Sequence, residues 1–589
     1  MQSAKIIESF KLMGEKMKKG ILEVVQGDYH LKNYEEEAAN FDWKTVEENF
    51  SWSKTGKMNL AHECIDRHAR SERKDKIALH YKSNTRKESY TYEDLRKKSN
   101  QAANMFRKCA NVQKGERVFL FMPRSPELYF AALGAIKLGA IVGPLFEAFM
   151  ESAVRDRLED SEASVLVTIP SMINRIPFED LPYLKHVFVV AEDGERIPGI
   201  TIDFKREMAQ AGTEFEVEWV QRDNSYILHY TSGSTGKPKG VLHAHNAMIQ
   251  HYQTGKWVLD LHEDDIYWCT ADPGWVTGTT YGMFAPWLHG ATSVVLGGRF
   301  SPEAWYAAIE EFKVTVWYSA PTAFRMLMSS GQDAFANIDL SSLRHILSVG
   351  EPLNPEVVRW GWEAFGIRIH DTWWMTETGA QTICNYPSMT IRPGSMGKPI
   401  PGMMATILDD DGNEVLPGVI GNLAIKKGWP SMMRGIWKSQ DKYNSYFVND
   451  EWYVSGDSAY KDEDGYFWFQ GRVDDCIMTA GERVGPFEVE STLLEHPAVA
   501  EAGVIGKPDV MRGEVIKAFV ALKKGYSPTQ QLKDEISYYV KMHQAAHAYP
   551  KDIEFIEKMP KTRSGKIMRR VLKAMELGLP VGDLSTMED

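Results

Sequence analysis

Short blocks of consecutive apolar residues alternate with amphipathic stretches over most of the chain. Glu116–Met122 (ERVFLFM) reads as a strand buried on both faces, and residues 127–138 carry a helical pattern. A second apolar strand follows at Ile141–Pro144, then a helix-like segment over 150–161 and the strand SVLVTI. The rhythm returns later: TSVVLGG, a helix over 303–312, VTVWYSA, a helix over 323–329, and LRHILSVG. Strand and helix in strict alternation predict a doubly wound, mostly parallel sheet with helices on both faces.

Around residue 400 the texture changes. MMATILDDDGNEVLPGVIGNLAIKK has short apolar runs, a DG turn and many glycines, which predicts a small antiparallel sheet or barrel. After GRVDDCIMTAGERVG a fresh α/β pattern opens: a helix over 486–496, strands EAGVIG and VIKAFVAL, and a helix over 529–543. The boundary falls at Asp474, giving an α/β N-terminal domain over 1–473 and a smaller α+β C-terminal domain over 474–589. A length of 589 residues agrees, since one core rarely organises so long a chain.

Composition narrows the function classes. Apolar content of 43% and charged content of 25% are ordinary for a soluble globular protein. A formal charge of -12 argues against a general nucleic-acid binder, so an anionic ligand must be held by local basic groups. Cys64, Cys109, Cys269, Cys384 and Cys476 are far apart and form no CxxC pair, which points to a reducing cytoplasm rather than a disulfide scaffold or zinc ribbon. The first twenty residues read as a basic amphipathic helix without a signal-peptide core, and as a docked or frayed terminus rather than a membrane anchor. The most apolar stretch, YFAALGAIKLGAIVGPLF, is broken by Lys137 and glycines and is too short to span a bilayer.

Four motifs carry candidate chemistry. YTSGSTGKPKG leaves an apolar strand for a glycine-rich, hydroxylated turn with Lys237 and Lys239. Convergent backbone N–H groups and hydroxyls suit a phosphate, although the spacing is not that of a Walker loop. By composition alone it is equally a surface loop. HDTWWMTETG joins stacking tryptophans, a hydroxyl and one carboxylate, a set suited to a purine and Mg²⁺ but also to a buried aromatic pair. In YVSGDSAY and GRVDD, Asp457 and Arg472 suit ribose hydroxyls or turn chemistry. PKTRSGKIMRR is a basic segment in which a glycine precedes Lys566, as in a mobile tip carrying one ammonium or a solvated tail.

Taken together and in order, YTSGSTGKPKG, DTWWMTETG, YVSGD, GRVDD and PKTRSGK resemble the signature motifs of the adenylate-forming superfamily of acyl-CoA synthetases and luciferase-like ligases. Within it the chain looks like the shorter, acetate-activating branch, from about residue 30 onward. The resemblance implies two steps. Acetate attacks the α-phosphorus of ATP to give acetyl-AMP and pyrophosphate, and CoA then expels AMP to give the thioester.

It also implies roles by position. Thr231, Ser232, Gly233, Ser234, Thr235, Gly236 and Lys239 would clamp the ATP phosphates. Gly350, Glu351, Pro352, Asp371, Thr372, Trp373, Trp374 and Met375 would surround the adenylate, with Thr376 at the α-phosphate and Glu377 on Mg²⁺. Asp457 and Arg472 match ribose contacts, Arg483 a phosphate contact, and Lys566 the lysine of the adenylation transition state. Asp474 matches a hinge about which the small domain turns to present Ala480, Gly481 and Glu482 to coenzyme A. Arg512 is a further CoA candidate.

Trp275, Val276, Thr277, Val349 and Trp374 would line the acyl pocket, with the Trp374 indole as its floor where medium-chain relatives carry glycine. Acetate is the implied acid and propionate a slower one. Longer family members carry an Arg- and Gly-rich CoA segment, and SVLVTIPSMINRIP here has no such run. Reversible acetylation of Lys566 by an acetyltransferase and a deacetylase is implied as well. A medium-chain ligase and a non-catalytic nucleotide sensor are the competing readings, and a nucleic-acid role for the basic tail is a remoter one.

Overall fold

A computed structural model describes residues 20–192, 195, 201–231, 238–479, 482–543, 548–562, 565–581, 584 and 587, without the side chains of Glu482 and Arg483. The amphipathic segment at the N-terminus lies outside them, as do 232–237 and 480–481.

The first alternating block forms an eight-stranded sheet. Ile202–Asp203, His186–Val189, Val165–Thr168, Arg117–Phe121, Ile141–Pro144 and Ser225–Thr231 run parallel within it, and Lys239–Ala244 folds back antiparallel on the last. Apolar side chains at consecutive positions suit strands covered on both faces. The helix Pro126–Lys137 is buried along its length. The charge at its C-terminal end, Lys137, is satisfied inside the core by Asp66 Oδ1 at 2.6 Å and Asn100 Oδ1 at 2.7 Å, as a buried ammonium requires.

The second block joins a fourteen-stranded sheet. Ile77–Lys82, Thr292–Leu296, Ile266–Cys269, Val316–Ser319, His345–Val349 and Ile369–Trp373 run parallel. The antiparallel strands expected beyond residue 400 are present, and they continue this same sheet. Ile383–Cys384 and Ser395–Pro399 carry the hydrogen bonding on to Phe467–Arg472, Trp452–Lys461, Gly421–Lys426 and Ala405–Leu408. A five-stranded sheet takes its strands from residues 477–555 and follows the turn Val473–Asp475. Among the described residues no helix is long and apolar enough to cross a membrane.

Candidate active site

Strand ends build the site. Ser225–Thr231 and Lys239–Ala244 pair so that Thr231 lies opposite Lys239, which closes the neck of the glycine-rich loop. Ser232, Gly233, Ser234, Thr235 and Gly236 lie outside the described residues. The Thr231 hydroxyl is buried with no hydrogen-bond partner among them, an unmet donor at the loop's entrance. Lys239 Nζ donates to Tyr446 Oη at 3.0 Å, and Tyr446 donates to Glu377 Oε1 at 3.2 Å. Burial lowers the Lys239 pKa against the pull of Glu377. A cation and a carboxylate thus face one space through a tyrosine that no motif pointed to.

The strand Ile369–Trp373 delivers the aromatic cluster, and the chain turns sharply over 375–379. Gly379 sits at φ +75 where a Cβ would overlap the Ser431 carbonyl and the His243 ring, so glycine is needed there. Met375 accepts a contact from Tyr453 Oη at its sulfur, 3.6 Å away. Buried His243, its pKa pushed down to about 4 by desolvation, is neutral and carries one N–H. Two carbonyls compete for it, that of Thr376 at 2.7 Å from Nε2 and that of Ser431 at 3.2 Å from Nδ1, and the shorter contact favours the bond beside Glu377. His243 had no assignable role in the sequence.

Trp373 donates its indole N–H to Asp457 Oδ2 at 2.9 Å, and Arg472 Nη1 donates to Asp457 Oδ1 at 2.8 Å. Asp457 and Arg472 are cross-strand neighbours, and two bonds leave the carboxylate further lone pairs for a ligand. Lys566 belongs to the same group of charges. Protein atoms crowd its ammonium although the residue keeps access to water; this desolvation lowers the pKa, Asp457 and Glu351 oppose it, and Arg472 and Arg569 add to it. Its hairpin is closed by Thr562 N–H donating to the Lys566 carbonyl at 2.8 Å and Lys566 N–H donating to Thr562 Oγ1 at 3.0 Å.

Gly350, at φ +94, ends the strand His345–Val349 and leads through Glu351 to Pro352. The Glu351 carboxylate is engaged by Thr322 Oγ1 at 2.9 and 2.8 Å and by Arg325 Nη2 at 2.8 Å. Asp371 accepts from Ser348 Oγ at 3.1 Å, and burial pushes its pKa up to about 7. Thr372 donates to the Ser348 carbonyl at 2.7 Å.

Val349, Val276 and Trp374 share one apolar cluster with Tyr281, Tyr318 and Cys269. Trp275 packs outside it against Phe146, ring centroids 5.4 Å apart, and Thr277 is buried on the short helix Val276–Thr279. Four of the five acyl-pocket candidates lie on Trp275–Val276–Thr277 and the end of His345–Val349, and the indole of Trp374 closes the set.

The coenzyme A candidates lie elsewhere. Ala480 and Gly481 are outside the described residues. Glu482 and Arg483 lie on the strand Glu482–Val484, paired with Ile477–Thr479. Arg512 is exposed at a hairpin tip, its backbone N–H bonded to Asp509 at 2.9 Å. Asp474 is exposed in the turn Val473–Asp475 that separates the last strand of the large sheet from the first of the small one. Across that turn, Asn354 Nδ2 donates to Ser491 Oγ at 3.1 Å and Arg359 to Glu495 at 2.8 Å.

Residues 65–437 match the model of the AMP-binding enzyme family, and 488–566 match that of the AMP-binding enzyme C-terminal domain. The chain belongs to the AMP-binding enzyme family. It is 66% identical over 568 residues to the acetyl-coenzyme A synthetase of Bacillus subtilis, covering 96% of this chain and 99% of that one. The acetyl-coenzyme A synthetase of Pyrobaculum arsenaticum is 40% identical, covering 92% of this chain and 86% of its own. Among solved structures, a Brucella canis acyl-CoA synthetase superposes with a TM-score of 0.74 at 36% identity, covering 93% of this chain and 99% of that one. An anthranilate CoA ligase bound to anthranoyl-AMP gives 0.80 at 32% identity, covering 88% and 97%.

Proposed function

We propose that this protein is an AMP-forming acetate–CoA ligase. It joins acetate to ATP as acetyl-AMP with release of pyrophosphate, and then transfers the acetyl group to CoA with release of AMP. The observation that carries the reading is the placement of Trp374. Trp374 shares an apolar cluster with Val349 and Val276 and is next in sequence to Trp373, which is tied through Asp457 to the charges around Lys566. A wall of that size leaves room for a methyl group and stops longer chains more strongly than the 1–3 kcal/mol or so per methylene of a merely snug pocket. The 66% identity to a Bacillus acetyl-coenzyme A synthetase supports the same acid.

Thr231 and Lys239, with the loop between them, would hold the β- and γ-phosphates. Asp457 and Arg472 would hold the ribose. Gly350, Glu351 and Pro352 would border the adenine, Glu351 through its backbone since Thr322 and Arg325 take its carboxylate. In the first step an acetate oxygen attacks the α-phosphorus and the bond to pyrophosphate breaks. Lys566 and the Thr376 hydroxyl oppose the negative charge that gathers there, which is where a fixed cation lowers a barrier most.

Glu377 fits Mg²⁺. It is a buried carboxylate that accepts from Tyr446 among the described residues, leaving oxygen lone pairs for a hard cation. The ion, when bound, would neutralise phosphate charge.

The second step needs a different arrangement, because CoA must reach the acyl carbon. We assign Asp474 as the hinge and Ala480, Gly481, Glu482, Arg483 and Arg512 to the face that rotation presents. A lysine acetyltransferase and a deacetylase acting on Lys566 are the proposed regulatory partners. Five cysteines, none of them in a disulfide, suit a cytoplasmic setting. A pyrophosphate-release assay with ATP, magnesium and C1–C8 carboxylic acids tests the reading. Acetate should give the highest kcat/KM and propionate the next; no pyrophosphate with acetate, or a best acid of four or more carbons, would overturn it.

A further inference from the structure

Trp374 does not hold its own position. Its indole N–H donates to Tyr318 Oη at 3.2 Å, and the amide of Gln381 donates to the same oxygen at 3.1 Å. Tyr318 Oη also lies 2.7 Å from Thr372 Oγ1. The direction of that bond follows from its neighbour. Thr372 has a single hydroxyl hydrogen, and it goes to the Ser348 carbonyl, which can only accept. Tyr318 is therefore the donor to Thr372, and its two lone pairs take the indole and the amide. All three hydrogen-bonding positions of the phenol are filled.

A second tyrosine braces the ring from the side. Tyr281 meets Trp374 edge-on, centroids 5.1 Å apart, and meets Tyr318 at 5.7 Å. Its own hydroxyl accepts from Gln381 N–H at 2.8 Å and lies 2.9 Å from Thr254 Oγ1, whose hydrogen goes to the Gln250 carbonyl. By the same elimination Tyr281 donates to Thr254. Each tyrosine thus spends its one hydroxyl hydrogen inside the network, and both tyrosines are fully buried.

We propose that Tyr318 is a positioning residue that sets the length of acid accepted, by holding the Trp374 indole across the end of the acyl pocket. The inference rests on the acyl pocket described above and adds to it the device that makes the wall rigid. An indole in a cavity turns aside for a longer chain if its other rotamers are accessible. Here turning aside breaks the hydrogen bond from the indole N–H to Tyr318 inside an apolar cluster, which leaves a donor unsatisfied. Tyr318→Phe removes that penalty, because the N–H then has no partner in either position.

The test compares kcat/KM for acetate, propionate and butyrate in wild type, in Tyr318→Phe and in a variant with 3-benzothienylalanine in place of Trp374. The second variant keeps the size and shape of the indole but lacks the N–H, so it reads the same bond without depending on Tyr318→Phe folding. The propionate-to-acetate ratio should rise about tenfold in each, the size of one buried hydrogen bond. The double variant should be no more relaxed than either single one, because both remove one interaction. KM for ATP should stay unchanged. Ratios within about twofold of wild type in both single variants would overturn the proposal while leaving the ligase reading intact. A wild type inactive with acetate would overturn both.

Discussion

Gly565 lies against the Thr322 side chain so closely that a Cβ built on it would overlap the threonine. It also sits at φ +90, where L side chains are strained. Thr322 is itself held by Glu351 and Arg325, the latter also donating to Asn354 Oδ1 at 3.3 Å. The hairpin carrying Lys566 therefore docks on the start of the helix Pro321–Ser330, which Glu351 and Asn354 brace from the residues after His345–Val349. Gly565→Ala is expected to lift that hairpin. Acetate-dependent ATP–pyrophosphate exchange should fall about a hundredfold, the usual effect of misplacing a reacting group by an ångström. Thioester formation from supplied acetyl-AMP should change little.

Removing the Lys566 charge should divide the half-reactions in the same way. Lys566→Gln, or enzymatic acetylation, is expected to lower pyrophosphate release by 10²–10³-fold or so. Conversion of acetyl-AMP and CoA to the thioester should survive, since the hinge reading moves Lys566 away for that step. Equal loss of both activities, measured separately, would contradict it.

Trp374→Gly should shift preference toward longer acids. The indole belongs to the apolar cluster that holds Val349 and Val276, and its removal should open space for several methylenes. The acid with the highest kcat/KM is expected to have four or more carbons, with acetate weakened through KM. A chain-length series that kept its acetate optimum would remove Trp374 from the pocket.

Asp371 gives a pH signature. Burial raises its folded-state pKa to about 7, above the value of about 3.9 in an unfolded chain. The folded state then holds the proton more tightly. The stability tied to this proton is complete below about pH 4 and is lost as pH rises through about 7, a change of a few kcal/mol. Asp371→Asn stays neutral throughout. Its thermal midpoint, measured without nucleotide, should gain on that of wild type steadily between about pH 4 and 7 and level off above that.

Much of the site was legible in local sequence for a definite reason. The groups proposed to hold phosphate, metal and transition-state charge are each made by a few neighbouring residues, so their chemistry can be read in short words such as YTSGSTGKPKG and PKTRSGK. The parallel strands could be read because burial on both faces demands consecutive apolar residues, as in Arg117–Phe121. Tyr446, Thr322, Arg325, His243 and Tyr318 carried no such signal. Each reaches the site from an element distant in sequence, and an isolated tyrosine or histidine reads as ordinary core.

By itself the sequence determined which reactive groups exist and how the strands alternate with helices, because backbone propensity, burial period and motif spacing act over a few residues. Only the tertiary structure decided which groups meet. It joined the antiparallel strands after residue 400 to the large parallel sheet, seated the Lys566 hairpin on Thr322, and saturated the Tyr318 hydroxyl beneath Trp374. Such pairings depend on which buried polar groups find partners across distant strands, and no run of neighbouring residues encodes them.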